Sequence, residues 1–135
     1  MPEPMTPVPT PQTQPFWDGA ARDKLMLQRS IQSGRYFFYP RGFVPGHVNE
    51  TFEWVEASGH GRLASYIINR RPLPGYENES PIIALVELDE GPRMMTNIVD
   101  VEPIPENLRI GARVAVEFRR RGEVNLPFFK LVGES

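Results

Sequence analysis

The sequence predicts a mainly β protein whose second half forms a small closed barrel of five strands. Fifteen Pro and eleven Gly in 135 residues indicate many short elements joined by tight turns rather than long helices. Five segments with the apolar pattern of strands follow one another between residues 59 and 132. An open sheet of that size would leave unpaired edges, so a closed OB-fold barrel is favoured over a small β-sandwich.

The first barrel strand is predicted in the segment GRLASYIINR. Side chains alternate between the two faces of a strand. Strict alternation therefore places Leu63 and Ile67 on one face and the other apolar residues on the opposite face, namely Ala64, Tyr66 and Ile68.

The other four strands are predicted from the segments that follow. PIIALVELDEG is apolar on both faces until Glu87 and then ends in an acidic turn, after which RMMTNIVDV forms the third strand. The fourth strand, in ENLRIGARVAVEFRR, carries Val114, Val116 and Phe118 on one side, and LPFFKLV forms the fifth. We expect Arg119–Arg121 to be a solvated turn before the last strand, with contact to a phosphate as the alternative.

The N-terminal region is predicted to contain a tail and a short helix. Residues 1–14 are rich in Pro and poor in bulky apolar groups, so we expect an extended, mobile tail. PFWDGAARDKLMLQR then predicts an amphipathic helix with Phe16, Trp17, Ala20 and Leu25 on one face. Exposure of the two rings would be costly, so we expect this face to pack on the chain's own domain or on a partner subunit.

Composition and charge exclude several classes of protein. The formal net charge of -2 argues against strong, sequence-independent binding of nucleic acid. No apolar run reaches the roughly 18 residues that a membrane-spanning helix needs, and the N-terminus does not resemble a secretory signal. Because the chain has no Cys, we expect no disulfide and a cytoplasmic location.

Two pairs of residues between Leu27 and Glu50 have the spacing of a zinc knuckle without its usual ligands. Ser30-x2-Ser33 precedes the aromatic run RYFFYP, and Val44-x2-His47 follows it. A structural zinc site requires four nitrogen or sulfur donors in a tetrahedral arrangement. Serine hydroxyls are poor zinc ligands and valine has no ligating atom, so the pattern predicts no bound metal.

The order and spacing of several motifs closely resemble the DUF35 family. FWDG, LQRS and SGRYFFYPR come first, followed by FEWVEASGHGRLASYIINRRPLPGY, PIIALVELDEGPRMMTNIV and LRIGARVAVEF, so that the resemblance covers Phe16 to Phe129. It implies an N-terminal rubredoxin-like zinc ribbon followed by an OB-fold. We therefore expect a tail at residues 1–14, a helix and degenerate ribbon at 15–55, and the OB-fold domain at 56–135.

This sequence departs from the family pattern at the metal ligands. The resemblance places the four ligand positions at Ser30, Ser33, Val44 and His47, where relatives carry Cys. A structural zinc site contributes about 10–16 kcal/mol of apparent binding free energy to a small domain. We expect burial of aromatic side chains to replace much of that contribution, using Tyr36, Phe37, Phe38, Tyr39, Phe43, Phe52 and Trp54.

The resemblance implies a non-catalytic subunit linked to acyl-CoA metabolism. Its partner would be a thiolase-like or enoyl-CoA hydratase-like enzyme, and acyl-CoA is its expected ligand, with no covalently bound cofactor. Coenzyme A presents phosphates, an adenine ring and a thin pantetheine arm, which cations, a flat surface and a groove would recognise. Arg70, Arg71 and Tyr76 on the loop after the first barrel strand are candidates, and Arg93 is expected nearby.

Other functions remain open at the level of sequence. The chain has no P-loop, no GxGxxG and no convincing Ser/His/Asp arrangement, so an independent enzyme is the weaker interpretation. OB-folds also bind single-stranded nucleic acid on a basic groove with aromatic platforms, for which Tyr66 and Tyr76 are available. A purely structural scaffold subunit is a third possibility, and homodimerisation is compatible with each.

Overall fold

A computed structural model describes residues 7–38, 40–41, 44, 46, 49–72, 74 and 79–132. The described elements are one short α-helix, eight β-strands and a single 3-10 turn. Their bounds are α1 Gln14–Ala20, β1 Met26–Ser30, β2 Tyr36–Phe37, β3 Phe52–Glu56, β4 His60–Ile68, β5 Ile82–Leu88, β6 Arg93–Val99, the 3-10 turn Pro105–Asn107, β7 Arg113–Arg121 and β8 Val124–Leu131. No helix among these residues is long and apolar enough to cross a bilayer.

Strands β4 to β8 form a closed barrel in the order β4-β5-β6-β8-β7, with β7 pairing back onto β4. All neighbours are antiparallel except β6 and β8, which are parallel. This arrangement confirms the predicted mainly β fold and the five-stranded barrel of an OB-fold. The β-sandwich alternative is wrong because a single sheet closes on itself.

A bulge in β4 reverses the predicted facing of its second half. Leu63 pairs with Val86, but the next paired residue is Ser65, so Ala64 is an extra residue in β4. An extra residue shifts every later side chain to the other face of a strand. Leu63 is fully buried whereas Ile67 is 61% exposed, so the expectation that they share one face is wrong.

The predicted turn at Arg119–Arg121 is also wrong. These residues continue β7 and pair with Leu126, Asn125 and Val124 of β8. The reversal occurs after them, at Gly122, whose φ of 62° is readily adopted by glycine. The three arginines are therefore held on a regular strand at one end of the barrel.

The N-terminal helix is shorter than the segment PFWDGAARDKLMLQR predicts. It ends at Ala20, and a turn at residues 21–23 leads into the extended segment that contains Leu25. Strand β1 then pairs with β2 on one side and β3 on the other, giving a three-stranded antiparallel sheet. The helix packs on the chain itself, because Phe16 is buried and Asn125 of β8 donates a hydrogen bond to the Ala20 carbonyl at 2.7 Å.

The small sheet and the barrel share one hydrophobic core. Leu25 and Leu27 from the N-terminal region belong to the same buried cluster as barrel residues such as Leu63 and Phe129. Burial of such side chains contributes about 1.5–3 kcal/mol each. The barrel therefore stabilises the N-terminal region directly and fixes the helix beside β8.

Candidate functional site

The parallel strands β6 and β8 are paired over only part of their length. Ile98 pairs with Phe129 and Val99 with Lys130, and no ladder extends toward the starts of the two strands. Pro127 lies in the unpaired part of β8, and its carbonyl accepts a hydrogen bond from the Thr96 hydroxyl at 3.2 Å. The N and C=O groups of one strand residue point to the same side of the strand. The Pro127 nitrogen, which carries no hydrogen, therefore faces β6, and it donates no backbone hydrogen bond that would close the gap between the two strands.

A large apolar groove lies at this opening. Its volume is about 740 Å³, within the range of small-molecule sites in proteins. It is bounded by α1, the segment after β2, the loop between β4 and β5, and strands β5, β6 and β8. The lining residues are Thr13, Phe16, Trp17, Phe38, Pro40, Asn69, Pro72, Glu79, Ser80, Pro81, Ile83, Met94, Met95, Thr96, Asn97, Arg121, Leu126, Pro127 and Phe128.

Several polar side chains of the groove are already hydrogen-bonded within the protein. The Asn97 amide donates to the carbonyls of Ser80 and Ile82, both at 3.1 Å. The Ser80 hydroxyl donates to the Ile98 carbonyl, and Asn69 accepts the backbone N–H of Arg71. Because these groups are used internally, the groove best accommodates a hydrocarbon or another mainly apolar group.

A second, more polar cleft adjoins the groove. Its volume is about 580 Å³, and it shares Glu79, Ser80 and Arg121 among other residues with the groove. The three arginines at the end of β7 line it together with the end of β6. Sequence reasoning assigned Arg119–Arg121 to a turn and so did not place them beside an apolar groove.

Two of these three arginines have acidic partners. Arg119 contacts Asp100 at 2.6 Å and Glu117 at 2.5 Å, and Arg121 forms an ion pair with Glu79. The hydrogen bond from Arg119 lowers the pKa of Asp100 below its usual value. Among the described residues, the Arg120 side chain has no hydrogen-bond or ion-pair partner, and Arg120 is exposed.

The structure brings only part of the predicted ligand site together. Arg70 donates to the Pro103 carbonyl at 3.1 Å, and it adjoins Arg71 at the end of β4 beside the groove. Arg93 pairs with Glu87 of β5, which pairs with Arg62 of β4, at the other end of the sheet. It forms an ion pair with Glu87 at 3.6 Å. The expectation that Arg93 lies near Arg70 is wrong, because β6 begins at the end of the sheet that is opposite to the end of β4. Tyr76 lies outside the described residues.

Comparison with known proteins places the fold in a family. The family model described as ChsH2, C-terminal OB-fold domain, matches residues 54–119. A DUF35 domain-containing scaffold protein from Methanothermobacter thermautotrophicus is 33% identical over 101 residues, which are 73% of this chain and 74% of the relative. The chain belongs to the DUF35 family.

Two further relatives of this DUF35 protein are much longer. A probable enoyl-CoA hydratase alpha subunit from Thermomonospora curvata is 34% identical over 119 residues, covering 85% of this chain. A 3-oxo-4,17-pregnadiene-20-carboxyl-CoA hydratase alpha subunit from Mycobacterium tuberculosis is 30% identical over 112 residues, covering 83% of this chain. The chain spans only 36% and 33% of the lengths of these two relatives.

Solved structures share the architecture of this DUF35 protein. A chain of the Ltp2-ChsH2(DUF35) aldolase matches with a TM-score of 0.81 and 28% identity, covering 93% of this chain and 98% of that one. A DUF35-family protein from Sulfolobus solfataricus matches with a TM-score of 0.61 and 18% identity, covering 90% of this chain and 86% of that one. The second match shows likeness of fold alone.

The positions that the family resemblance assigns to zinc ligands do not fit a zinc ion in this DUF35 protein. Ser30 is fully buried, and its hydroxyl donates to a Glu50 carboxylate oxygen at 2.5 Å while accepting the Ser33 N–H at 3.2 Å. Val44 is a buried hydrocarbon, and His47 lies outside the described residues. Within those residues, no group of three or more His, Asp or Glu is arranged to hold a metal ion.

Two glutamine side chains stabilise the segments around the three-stranded sheet. Buried Gln28 donates to the Arg41 carbonyl at 2.6 Å and accepts the Arg41 N–H at 2.7 Å. Gln32 forms a similar pair of bonds with Thr51, at 2.9 and 3.0 Å. Sequence reasoning missed these bonds, because a Gln in the sequence gives no sign of which distant group its amide will meet.

The aromatic side chains contribute less burial to the ribbon than the sequence predicts. The described rings are half-buried, namely Tyr36, Phe37, Phe38, Phe52 and Trp54. Phe37 and Phe52 stack edge to face at 6.1 Å, and Phe38 reaches Phe16 at 5.9 Å. Tyr39 and Phe43 lie outside the described residues. Ring packing therefore acts together with the polar bonds rather than alone.

Proposed function

We propose that this chain is a non-catalytic accessory subunit of an acyl-CoA-processing enzyme, partnering a thiolase-like or hydratase-like subunit and binding acyl-CoA. The observation that carries the proposal is the apolar groove at the opening between β6 and β8. A groove of about 740 Å³ with few available polar groups suits the hydrocarbon chain of an acyl group.

The relatives support the partner. Two are named as CoA hydratase alpha subunits, one structural match belongs to the Ltp2-ChsH2(DUF35) aldolase, and others are named scaffold proteins. A shared fold does not by itself transfer function. The groove, however, is a feature of this chain and supplies an independent reason to expect a ligand.

Arg70, Arg71 and Tyr76 remain proposed ligand contacts. Asn69 and Pro72 line the groove, so the loop that carries Arg70 and Arg71 borders it. Arg93 is separated from that loop by the length of β6, and we propose it only as a contact for a partner protein.

Co-expression tests the proposal. The chain is produced with a thiolase-like or hydratase-like subunit encoded beside it, and the complex is sought by affinity copurification and light scattering. A stable complex with acyl-CoA turnover that neither subunit shows alone supports the proposal. Turnover by the isolated chain, or full turnover by the partner alone with no complex, contradicts it.

A purely structural scaffold is the second candidate, and the outer face of the barrel favours it. Ile67 is 61% exposed there and Met95 is 60% exposed. Ile83 and Leu85 of β5 lie between them, because β5 pairs with β4 on one side and with β6 on the other. Such a contiguous apolar patch is typical of protein interfaces. Ile67→Ser should weaken the partner complex while lowering the isolated chain's stability by no more than about 1 kcal/mol. A scaffold would assemble normally but show no acyl-CoA binding in calorimetry.

The described outer face makes nucleic-acid binding the weaker alternative. OB-folds bind oligonucleotides on the face of their second and third strands, here β5 and β6. The outward-facing residues of β5 and β6 include Ile83, Leu85 and Met95, and neither strand carries an aromatic residue of its own on which a base could stack. Tyr66 is on β4. Salt-sensitive retention on a single-stranded oligonucleotide column would restore this alternative.

A further inference from the structure

Strand β3 forms one edge of the three-stranded sheet. It pairs with β1 on one side, and no described strand pairs with it on the other. Among the described elements, only β1 packs extensively against it. The edge of a sheet presents unpaired N–H and C=O groups, which can pair with a strand of another chain. Within the described part of the chain, β3 is therefore a surface on which a further strand can be added.

The hydrogen bonds to β1 define which backbone groups of β3 point outward. The Thr51 carbonyl accepts the N–H of Ile31 at 3.0 Å, and the Ala57 N–H donates to the Leu25 carbonyl at 2.8 Å. Backbone groups of successive residues in a strand point to opposite sides, so those of the odd-numbered residues face β1. The backbone groups that point away from β1 belong to Phe52, Trp54 and Glu56. None of these outward groups has a backbone hydrogen-bond partner among the described residues.

The two glutamates of β3 have cations beside them. Charged side chains commonly keep strand edges of different molecules apart. Here Glu53 forms an ion pair with Arg29 at 3.6 Å, and Glu56 forms one with Lys24 at 3.7 Å. These four side chains together carry no net charge, so two such edges can approach each other without strong repulsion.

The sequence of β3 is self-complementary in one antiparallel register. If Trp54 of one copy lies opposite Trp54 of a second copy, Phe52 lies opposite Glu56, and the outward groups of all three residues face one another. Glu53 then lies opposite Val55, so no like charges are paired directly. Moving the centre to Glu53 or Glu56 would place two glutamates opposite each other. Moving it to Phe52 or Val55 would leave outward groups of β3 without a partner in the second β3.

We propose that two copies of this chain associate through β3, as an antiparallel pair centred on Trp54. The two three-stranded sheets then become one continuous sheet across a two-fold axis, and both copies contribute the same edge. Because β3 has only five residues, the dimer is weak and depends on protein concentration. This inference goes beyond the proposed function and does not rest on it, since the apolar groove lies in the barrel between β6 and β8.

Sedimentation of the full chain over a range of concentrations tests the dimer. Glu56→Pro is the decisive variant, because proline removes the outward N–H at this position while proline on a free strand edge is tolerated. Glu56→Ala is the matched control, since it loses the same ion pair but keeps the N–H. We expect wild type to dimerise as its concentration rises. Glu56→Pro should raise the dissociation constant of the dimer at least about tenfold, and Glu56→Ala should stay within about threefold.

Disulfide trapping tests the register without relying on that variant, since the chain has no Cys of its own. In the proposed pairing, position 53 of one copy lies opposite position 55 of the other. A mixture of Glu53→Cys and Val55→Cys chains should therefore form a mixed disulfide under mild oxidation. Glu53→Cys alone should cross-link far less, because its two sulfurs would be two residues out of register.

Three results would overturn the proposal. The first is a wild-type chain that stays monomeric at every concentration. The second is cross-linking of Glu53→Cys alone that equals cross-linking of the mixture. The third is loss of the complex with the enzyme subunit in Glu56→Pro but not in Glu56→Ala, which would assign the β3 edge to that subunit instead of a second copy.

Discussion

The Thr96 hydroxyl donates to the Pro127 carbonyl at 3.2 Å across the part of the β6–β8 boundary where no backbone ladder forms. Thr96 is buried, and both residues line the apolar groove. This bond holds the two strands at a fixed separation. The groove is thus part of the barrel's own closure rather than a gap between loosely placed loops.

Replacing Thr96 by Val should weaken this closure. The change keeps the side-chain shape but removes the donor, so the Pro127 carbonyl loses a buried partner, at a cost of about 1 kcal/mol in the free energy of unfolding. Urea titration followed by tryptophan fluorescence measures the loss. Ser65→Ala, at an exposed position of β4, should change the free energy by less than about 0.5 kcal/mol. Equal stability of Thr96→Val and wild type would show that the bond does not support the barrel.

The two serines of the degenerate ribbon should differ sharply. Ser30 is buried and its hydroxyl is bonded to Glu50, whereas Ser33 is exposed and its hydroxyl accepts the Arg35 N–H at 3.3 Å. Ser30→Ala should lower the free energy of unfolding by about 1–3 kcal/mol, because a charge-assisted bond is lost. Ser33→Ala should have little effect in the same denaturation experiment. Similar effects of both changes would contradict the role of the buried bond.

Removal of metal should leave this protein's stability unchanged. Three of the four ligand positions, Ser30, Ser33 and Val44, offer hydroxyl or hydrocarbon groups where zinc requires nitrogen or sulfur donors, and Ser30 already bonds Glu50. We expect the same melting temperature before and after dialysis against a chelator, and far less than one zinc per chain by elemental analysis. A large fall in melting temperature that added zinc reverses would show that the ribbon still binds metal.

The acid stability of the barrel should depend on Asp89. Arg113 donates two hydrogen bonds to it, at 2.8 and 2.9 Å, and these lower the pKa of Asp89 below its usual value in the folded chain. A carboxyl group whose pKa is lower in the folded chain stabilises the fold at pH values above its unfolded pKa of about 3.9. This contribution is lost as the pH falls through the folded pKa.

Asp89→Asn should therefore melt at a lower temperature than wild type at pH 7, and the difference should shrink below about pH 4. Because the ion pair is exposed, we expect the melting temperatures measured by calorimetry to differ by only about a few degrees. Glu106→Gln, on the exposed 3-10 turn, is the control. A difference between Asp89→Asn and wild type that grows at low pH would contradict the sign of this linkage.

The sequence predicted the barrel because its strands carry strong apolar patterns bounded by Gly and Pro. The prediction for Ile67 was wrong because a β-bulge has no recognisable signal in the sequence. The prediction for Arg119–Arg121 was wrong because a charged strand end has the same composition as a turn. The helix ended early because the chain must turn at residues 21–23 to enter β1.

The groove could not have been predicted in the same way. It arises where β6 and β8 meet, segments about thirty residues apart that pair in parallel only at Ile98 and Val99. Pro127 within a strand pattern is the one local signal, because proline inside a sheet marks an unpaired side. The ion pairs of Arg119 with Asp100 and of Arg121 with Glu79 join residues far apart in the sequence, which only the fold brings together.

Hydrogen-exchange mass spectrometry with octanoyl-CoA, in the complex with the enzyme subunit, tests the central claim most directly. If the ligand lies along the opening between β6 and β8, amides in residues 94–98 and 118–129 should exchange more slowly when it is added to the complex. The segment 60–65 on β4 should be unchanged by the ligand. Protection confined to residues 60–65, or no ligand-dependent protection anywhere in this chain, would contradict the assignment of the groove as the acyl-CoA site.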